Sequence, residues 1–279
     1  MPDRLDPQTY RELVRVALAE DIGAGDVTTR AIVSSDVRGE GVFVAKQRLI
    51  LAGIDVARDV FAQVDPALTF DVRVADGEVC VPGASIAAVR GSAASLLTAE
   101  RTALNLLQAL SGIATLTRAY VDAAAGGVRI LDTRKTAPGQ RALAKYAVRC
   151  GGGVNYRVGL FDGVLIKDNH IRIAGGIANA VDRVRASGVR LPIEVEAQTL
   201  AQVDDAIAAG VDIIMLDNLD DAATEEAISR IAGRARIELS GNMTLERVAR
   251  LADSGADEIS VGALTHSAPA ADISFEIDT

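Results

Sequence analysis

The second half of the chain alternates two patterns of hydrophobic and polar positions. Short aliphatic and β-branched runs are separated by segments in which apolar residues recur every three or four positions. The first pattern is typical of buried strands and the second of amphipathic helices, so their alternation predicts a parallel sheet. The predicted strands, between residues 128 and 262, are VRILDT, GVLIK, LPIEVE, DIIMLD, ARIELS and DEISVG. Six such units fit either a barrel with fewer than the usual eight strands or an open doubly wound sheet.

The predicted helices of this half share one kind of ending. Four of the helical segments stop at a glycine just before the next strand, at Gly188, Gly210, Gly233 and Gly255. Glycine readily adopts the left-handed conformation that closes many helices. We therefore expect a left-handed cap at each of these positions.

The first third of the chain has a different pattern. Residues 70–91 alternate short strands around a glycine turn, with the rhythm of a lipoyl- or biotin-carrier sandwich. The turn at 75–78 reads ADGE and contains no lysine for cofactor attachment, which argues against a carrier. Residues 95–125 have helical spacing that we predict to break at Ser111–Gly112 and to link the two halves.

These patterns predict an α/β protein with two domains. The sandwich-like pattern belongs to the first part of the chain, and the alternation of strands and helices belongs to the second.

Composition and charge limit the classes of function. Hydrophobic residues make up 49% of the 279 positions, which is enough for buried cores. A net charge of -9 argues against general binding of nucleic acid. The chain shows no long uncharged apolar run, so we predict no membrane span, no secretory signal and a cytoplasmic location. Cys80 and Cys150 are far apart in sequence, which makes a disulfide framework or a thiolate zinc site a poor prediction.

Positive charge is concentrated in one part of this acidic chain. Residues 129–167 contain eight basic and two acidic residues. Three of the basic residues have helical spacing and fit a solvated helix face, namely Arg141, Lys145 and Arg149. Four others lie at the end of an apolar run or beside glycines, where no helix face explains them, and these are Arg134, Lys135, Arg157 and Lys167. Their chemistry suits a carboxylate or a phosphate.

Polar residues also follow the other predicted strands. Glu196 and Asp217 end two of them and could accept sugar hydroxyls or hold Mg²⁺. The last two strands end in Ser240–Gly241–Asn242 and Ser260–Val261–Gly262, where backbone N–H groups could hold a phosphate. In βα barrels the carboxyl-end face carries the active site. The sequence therefore predicts a site for a phosphorylated sugar facing a small dianion.

The chain resembles the quinolinate phosphoribosyltransferase family, also called nicotinate-nucleotide pyrophosphorylase (carboxylating). The similarity begins at EDIGAGDVTT (20–29) and runs in order over nearly the whole chain. The other matching motifs are LTAERTALNLLQALSGIATLT (97–117), DTRKTAPGQRALAKYAVRCGGG (132–153), LIKDNHI (165–171), IEVEAQTL (193–200), IIMLDN (213–218), ELSGNMTLE (238–246) and ISVGALTHS (259–267).

The resemblance implies a fold, a reaction and an assembly. The fold would be an N-terminal α/β sandwich at 1–114, with the tail at 268–279 packing back on it, and a C-terminal incomplete α/β barrel of about six strands at 115–267. Quinolinate and 5-phosphoribosyl 1-pyrophosphate would become nicotinate mononucleotide, pyrophosphate and CO₂, with Mg²⁺ as cofactor, in NAD biosynthesis. The protein would be a homodimer or a multiple of one, with each active site between one subunit's barrel and the other subunit's N-terminal domain.

The resemblance also implies roles for individual residues. The two carboxylates of quinolinate would be bound by Arg134, Tyr156, Arg157 and Lys167, with Arg101 from the other subunit. Lys135 would contact the pyrophosphate, and Glu196 and Asp217 would hold the ribose hydroxyls or the metal; these three would be the catalytic residues. The remaining contacts to phosphoribosyl pyrophosphate would come from Ser240, Gly241, Asn242, Ser260, Gly262 and His266.

One position departs from the family pattern. The sequence GGGVNYR has Tyr156 where a histidine is expected, and a neutral phenol cannot carry the charge that imidazole can. Two explanations stay open: a tolerated replacement, or a relative that uses a different pyridine or aromatic carboxylate as acceptor. A third hypothesis is an unrelated barrel acting on a phosphosugar, which would not need so many arginines. His170 is interpreted as a packed residue at a helix start rather than a ligand.

Overall fold

The computed structural model describes residues 3–278, which form two compact units. The first unit contains the described residues up to 118 together with 136–152 and those from 263 onward. The second unit contains 119–135 and 153–262. These two units are interleaved along the chain, so they do not test the predicted domain boundary between residues 114 and 115. That boundary stays a prediction.

The first unit is built on an antiparallel sheet with helices. Its strands are β1 (Arg38–Ala45), β2 (Leu49–Ile50), β3 (Thr69–Val72), β4 (Val79–Cys80), β5 (Ser85–Ser92) and β12 (Ile273–Asp278). The larger sheet has the order β12-β1-β5-β3, and β2 pairs with β4. The C-terminal strand therefore pairs with β1, with Phe43 opposite Phe275.

The helices of the first unit cover this sheet. They are a short 3₁₀ turn (Pro7–Thr9), α1 (Arg11–Ile22), α2 (Val27–Ile32), α3 (Ile54–Val64), α4 (Ala93–Ala123, which continues into the second unit), α5 (Arg141–Cys150) and α11 (Ala263–His266). Phe43 and Phe61 pack edge to face with ring centroids 5.9 Å apart, and Phe275 lies 4.6 Å from Phe43. This aromatic cluster belongs to the buried core of the unit.

The predicted break at Ser111–Gly112 is wrong, because α4 is continuous through it. Ser111 is fully buried, and its hydroxyl accepts the N–H of Ala52 at 3.1 Å and contacts the Ala52 carbonyl oxygen at 3.3 Å. A Cβ at position 112 would lie 2.1 Å from the carbonyl oxygen of Pro269. The small residues therefore permit close approach of neighbouring backbone rather than ending the helix.

The ADGE turn has a structural role in the first unit. The carboxylate of Asp76 accepts the backbone N–H groups of Gly53 and Ile54, at 3.0 and 3.1 Å, at the start of α3. It also accepts the hydroxyl of Tyr146 at 2.7 Å. Asp76 thus caps one helix and ties it to α5.

The second unit is a parallel α/β sheet with six strands, as predicted. They are β6 (Arg129–Leu131), β7 (Val164–Ile166), β8 (Ile193–Ala197), β9 (Ile213–Asp217), β10 (Arg236–Ser240) and β11 (Glu258–Ser260). Their order is β6-β11-β10-β9-β8-β7. The helices are α6 (Asp168–Ala174), α7 (Ile177–Ala186), α8 (Leu200–Ala208), α9 (Asp221–Ile231) and α10 (Leu245–Leu251).

The glycine caps are confirmed. Gly188, Gly210, Gly233 and Gly255 all have φ between +62° and +88°. Each allows a helix to turn sharply into the next strand, which brings the strands into register. Among the helices of the described chain, none is long and apolar enough to cross a membrane.

Candidate active site

A cavity of about 600 Å³ opens at the carboxyl ends of the strands in the second unit. Both edge strands of the sheet and its middle strands contribute to the lining, so the sheet curls round the cavity as an incomplete barrel. The predicted site residues that line it are Arg134, Lys135, Tyr156, Arg157, Lys167, Glu196, Asp217, Ser240, Gly241, Asn242 and Ser260. The structure therefore brings most of the predicted set together.

Three predicted residues are not among those that line this cavity. Gly262 lies two residues after the end of β11 and is the last residue of the second unit. Arg101, exposed on α4, and His266, exposed on α11, belong to the first unit. His266 Nδ1 lies 2.6 Å from the hydroxyl of Ser267. The roles implied for these three residues stay predictions.

Asp132 fixes the segment that carries Tyr156 and Arg157. Its side chain is buried, with 1% exposure, and accepts the side-chain amide of Asn155 at 2.6 Å and the backbone N–H of Tyr156 at 3.0 Å. Val154 pairs in parallel with Leu131 beside β6. This short extension of the sheet edge places Tyr156 and Arg157 next to Arg134 in the cavity wall.

The loop after Arg157 is tightly closed. Asp162 accepts the N–H groups of Val158 and Gly159 at 2.7 and 2.9 Å, and the Arg157 guanidinium donates to the carbonyl oxygen of Gly163 at 3.1 Å. One guanidinium nitrogen of Arg157, Nη1, is thereby hydrogen-bonded within the protein. Arg157 enters the cavity wall as an oriented cation rather than a flexible one.

Two carboxylates occupy neighbouring strand ends on the other side of the cavity. Glu196 is the last residue but one of β8 and is buried, and its Oε2 forms an ion pair with Lys167, which directly follows β7. Asp217 is the last residue of β9. The side-chain amide of Gln198 reaches both acids, and Asn218 donates to Asp217 Oδ2 at 2.8 Å.

The loops after β9 and β10 are tied together. Gly241 has φ +92°, and a Cβ there would lie 2.2 Å from Asn218 Oδ1 and 2.8 Å from the Asn218 backbone nitrogen. Asn218 and Asn242 also have left-handed backbones, at φ +57° and +48°. Arg247 donates to the carbonyl oxygens of Gly241 and Leu219 at 2.9 and 2.6 Å. The Ser-Gly-Asn turn is therefore held in a conformation that requires glycine at its centre.

The interior of the sheet beside the cavity is acidic, and one of its acids, Glu238, also lines the cavity. Glu194 and Glu238 are 0% and 1% exposed, and burial raises the pKa of both carboxyl groups, that of Glu238 well above its ordinary range. The Tyr156 hydroxyl is buried against Glu194, and burial together with that carboxyl group raises the pKa of the phenol. Tyr156 is thus a neutral side chain whose polar end is directed into the interior, and its ring contributes to the cavity wall.

A third buried acid lies at the opposite ends of the strands. Glu258 is paired with Arg129 on β6 and with Arg236 on β10, the latter at 3.5 Å. The register places Glu238 beside Glu258. The interior of this sheet is therefore a column of charged and polar side chains from the strand starts to the cavity.

Sequence reasoning missed several of these residues. Glu238 lies two positions before Ser240, and Glu194 two positions before Glu196, so the period of two along a strand places each on the face of its neighbour. That signal was available in the sequence. The contacts of Gln198 and Arg247 depend on side-chain reach across strands, which periodicity does not give. His170 accepts the backbone N–H of Lys167 at 3.0 Å at the start of α6, which confirms the helix-start role, but its side chain is exposed, so the interpretation as a packed residue is wrong.

The cavity combines two chemistries. Arg134, Lys135, Arg157 and Lys167 supply cations for an acidic ligand; Arg134 and Lys135 follow β6 and Lys167 follows β7, which are the two edge strands of the sheet. The carboxylates and the Ser-Gly turn occupy β8 to β11, where they could bind hydroxyl groups and a phosphate. Such a cavity can hold a dianion against a phosphorylated sugar.

Comparison with known proteins points to one family. Residues 26–111 match the family model for the N-terminal domain of quinolinate phosphoribosyl transferase, and residues 113–276 match that for its C-terminal domain. The chain is 44% identical to the chloroplastic nicotinate-nucleotide pyrophosphorylase [carboxylating] of Oryza sativa subsp. japonica, over 96% of this chain and 78% of the relative. It is 45% identical to a probable nicotinate-nucleotide pyrophosphorylase [carboxylating] of Synechocystis, over 93% and 90% of the two chains.

Two solved structures are similar to this chain over almost its whole length. The crystal structure of NadC from Streptococcus pyogenes superimposes with a TM-score of 0.95 at 41% identity and covers 99% of both chains. The nicotinate-nucleotide pyrophosphorylase from Francisella tularensis superimposes with a TM-score of 0.92 at 39% identity, over 99% of this chain and 98% of that one.

Proposed function

Because the chain belongs to the quinolinate phosphoribosyltransferase family, we infer that its cavity transfers the 5-phosphoribosyl group of phosphoribosyl pyrophosphate to quinolinate. The enzyme is a decarboxylating pentosyltransferase of NAD biosynthesis, and its products are nicotinate mononucleotide, pyrophosphate and CO₂. The observation that supports this most directly is one cavity that brings cations from the two edge strands together with carboxylates and a Ser-Gly turn from the inner strands.

The cationic side is proposed to bind quinolinate. Arg134, Arg157 and Lys167 line the wall of the cavity. Each guanidinium group can donate two parallel N–H hydrogen bonds to a carboxylate. The Tyr156 ring would pack against the pyridine. Holding both carboxylates fixes the ring nitrogen for attack on the ribose carbon.

The opposite side is proposed to bind phosphoribosyl pyrophosphate. Glu196 and Asp217 would accept the ribose hydroxyls, and the turn at 240–242 with Ser260 and Gly262 would surround the 5-phosphate. Lys135 and His266 would lie near the pyrophosphate. Lys135 is exposed at the cavity rim, where it can neutralise the leaving group as the bond to the ribose carbon breaks.

The residues present fit a magnesium ion. Among the described residues, no group of three or more His, Cys, Asp and Glu is arranged to hold a metal. Glu196 and Asp217 supply two carboxylates at adjacent strand ends, and Mg²⁺ commonly takes only one or two carboxylates and completes its shell with water and substrate phosphates. When bound, Mg²⁺ would neutralise charge that develops on the pyrophosphate.

The chemistry then follows from charge. Loss of pyrophosphate leaves positive character on the ribose carbon, which the carboxylates stabilise while the pyridine nitrogen attacks. The ribosylated ring is cationic, so the electron pair left on the ring carbon by CO₂ departure is stabilised by the adjacent nitrogen, and a proton from water then takes the place of the lost carboxylate. The arginines hold the carboxylates until one is released.

A different acceptor, which the tyrosine at position 156 had suggested, is not favoured. Relatives named quinolinate phosphoribosyltransferase [decarboxylating] are 44% identical over 96% of this chain. Tyr156 has its hydroxyl buried in the interior, so its replacement of histidine leaves the cations of the wall in place.

The assembly and location are also proposals. The protein would act as a homodimer or a multiple of one, with Arg101 of each subunit completing the other subunit's site. A cytoplasmic location stays a prediction. Similar plant proteins are named as chloroplastic or mitochondrial.

A steady-state assay tests the function. Purified protein with phosphoribosyl pyrophosphate, Mg²⁺ and quinolinate should release nicotinate mononucleotide and CO₂ in equal amounts, and nicotinate should not replace quinolinate. Arg134→Ala should raise the KM for quinolinate at least about tenfold, since it removes a charge-assisted bond. Arg230→Ala, on the outer face of α9, is the matched control and should change neither the KM for quinolinate nor kcat. Turnover of another aromatic acid without turnover of quinolinate would overturn the proposal, as would a rise in quinolinate turnover in Tyr156→His.

A further inference from the structure

Glu196 and Asp217 both line the cavity near the carboxyl ends of the neighbouring strands β8 and β9. The register pairs Glu196 with Met215 and Ala197 with Leu216, so both acids lie on the cavity side at the same edge of the sheet. Two carboxylates in a partly buried site repel each other. Without a restraint between them, the two side chains would be free to turn apart.

Gln198 joins the two acids. Its Nε2 lies 3.2 Å from Glu196 Oε1 and 3.4 Å from Asp217 Oδ2. A carboxylate only accepts hydrogen bonds, and a side-chain amide nitrogen carries two hydrogens. One amide can therefore donate to both acids at once, which neither a hydroxyl nor a carboxylate can do.

The other partners of the acids complete a defined arrangement. Lys167 takes the second oxygen of Glu196, and Asn218 donates to the same Asp217 oxygen that Gln198 contacts. Asp217 Oδ1 is the oxygen that neither amide contacts. The two amides restrain the rotation of the Asp217 carboxylate through Oδ2, and Asp217 is one of the residues that line the cavity.

The position of Gln198 is itself supported by the start of α8. Its backbone N–H donates to Gln202 Oε1 at 2.7 Å, and the Gln202 N–H donates to the capping hydroxyl of Thr199 at 3.2 Å. The amide thus extends from a held backbone, so little conformational freedom is lost when it bridges the acids.

We propose that Gln198 is a positioning residue for phosphoribosyl pyrophosphate, which holds Glu196 and Asp217 at a fixed separation while leaving their negative charge intact. This role rests on the proposed function of the cavity. A neutral amide is required, because a lysine would neutralise one acid and a glutamate would repel both. The effect should concern the phosphoribosyl side of the cavity and leave the quinolinate side unchanged.

Kinetics and calorimetry on two variants test the proposal. Gln198→Ala should raise the KM for phosphoribosyl pyrophosphate about tenfold, with the KM for quinolinate unchanged, since it removes hydrogen bonds to two charged groups. Gln198→Glu should be more damaging than Gln198→Ala, although glutamate is close in size to glutamine. Gln63→Ala, which removes an amide–carboxylate bond of 2.7 Å to Asp59 in the first unit, is the matched control and should change neither constant.

Direct binding separates this proposal from the function on which it rests. Calorimetric titration with phosphoribosyl pyrophosphate and Mg²⁺ should show about tenfold weaker binding to Gln198→Ala than to the unchanged protein. Equal binding and equal KM in a protein that does turn over quinolinate would overturn the role of Gln198 alone. Absence of quinolinate turnover in the unchanged protein would overturn the proposed function, and the titration would still report on Gln198. An equal loss of quinolinate affinity would overturn a specific positioning role.

Discussion

At the scale of single residues, Glu238 links burial to pH. Burial and the neighbouring Glu194 raise its pKa well above 4.5, Glu258 adds to the increase, and Ser260 opposes it. The native protein therefore keeps a proton that the unfolded chain releases at lower pH. Because the native state binds more protons, the free energy of unfolding should fall as the pH rises above about 4.5, by up to about 1.4 kcal/mol per pH unit.

Glu238→Gln should remove much of this slope. The glutamine keeps the shape of the side chain but cannot ionise, so the urea-unfolding free energy should become less dependent on pH between 5 and 8, at roughly constant ionic strength and without metal. Glu246→Gln, an exposed substitution on α10, serves as the control and should leave the slope unchanged. An identical slope in Glu238→Gln would contradict the prediction.

Gly241 separates backbone strain from steric conflict. Gly241→Ala places a Cβ 2.2 Å from Asn218 Oδ1, in addition to forcing alanine to φ +92°. We expect a loss of about 1–3 kcal/mol in unfolding free energy and a raised KM for phosphoribosyl pyrophosphate. Gly83→Ala is matched in backbone, with φ +85°, but a Cβ there meets no atom within 4 Å. Equal effects of the two substitutions would show that the contact with Asn218 is irrelevant.

Residues at strand ends were predictable from sequence because a parallel sheet brings those ends to one edge. Lys167, Glu196 and Asp217 needed only the alternation of strands and helices to be placed together. The bridging amide of Gln198 was not predictable, since it depends on how far a side chain extends across two strands. The inward direction of the Tyr156 hydroxyl likewise depends on buried acids from other strands.

At the scale of elements, Asp76 connects α3 with α5. Asp76→Ala should lower the unfolding free energy by about 2–3 kcal/mol, because it leaves two backbone N–H groups and the Tyr146 hydroxyl without their acceptor. Tyr146→Phe removes only one of these bonds and should cost about 1 kcal/mol. Urea unfolding monitored by circular dichroism measures both. A loss in Asp76→Ala no larger than in Tyr146→Phe would contradict the capping role.

Element type followed from periodicity, and one boundary did not. The strands and the glycine caps of the second unit have the predicted places, because buried runs and left-handed turns are local features. Ser111–Gly112 was misread because its small side chains serve contacts with Ala52 and Pro269, which are distant in sequence. Local propensity is informative only where tertiary contacts do not override it.

At the scale of the whole molecule, the proposed sharing of sites between subunits can be tested by complementation. Arg101→Ala and Lys135→Ala should each be nearly inactive alone. In randomly mixed dimers, half the molecules carry both variants and each of these has one intact site, so activity should return to about a quarter of the unchanged enzyme. Steady-state rates of co-expressed, purified protein measure this return.

A second mixture supplies the control. Lys135 and Asp217 both lie in the second unit and line the same cavity. Mixed Lys135→Ala and Asp217→Ala dimers would contain no intact site and should stay inactive. Recovery in this mixture, or none in the first, would contradict shared sites.

The interleaving of the two units is also a property of the whole molecule. Residues 136–152 pack with the first unit although they are flanked in sequence by the second. Hydrophobic periodicity identifies α5 as a helix but does not reveal its packing partner, because that is set by contacts distant in sequence.

The column of ionisable side chains inside the second unit should lower the stability of the protein. A barrel of this size can fill its interior with branched aliphatic side chains, and replacing buried ionisable groups by such residues often makes proteins more stable. Variants selected only for heat resistance should therefore accumulate apolar substitutions at Glu194 and Glu238 and lose turnover as they do so. In this acidic interior, we therefore expect a gain in thermal stability to be accompanied by a loss of turnover.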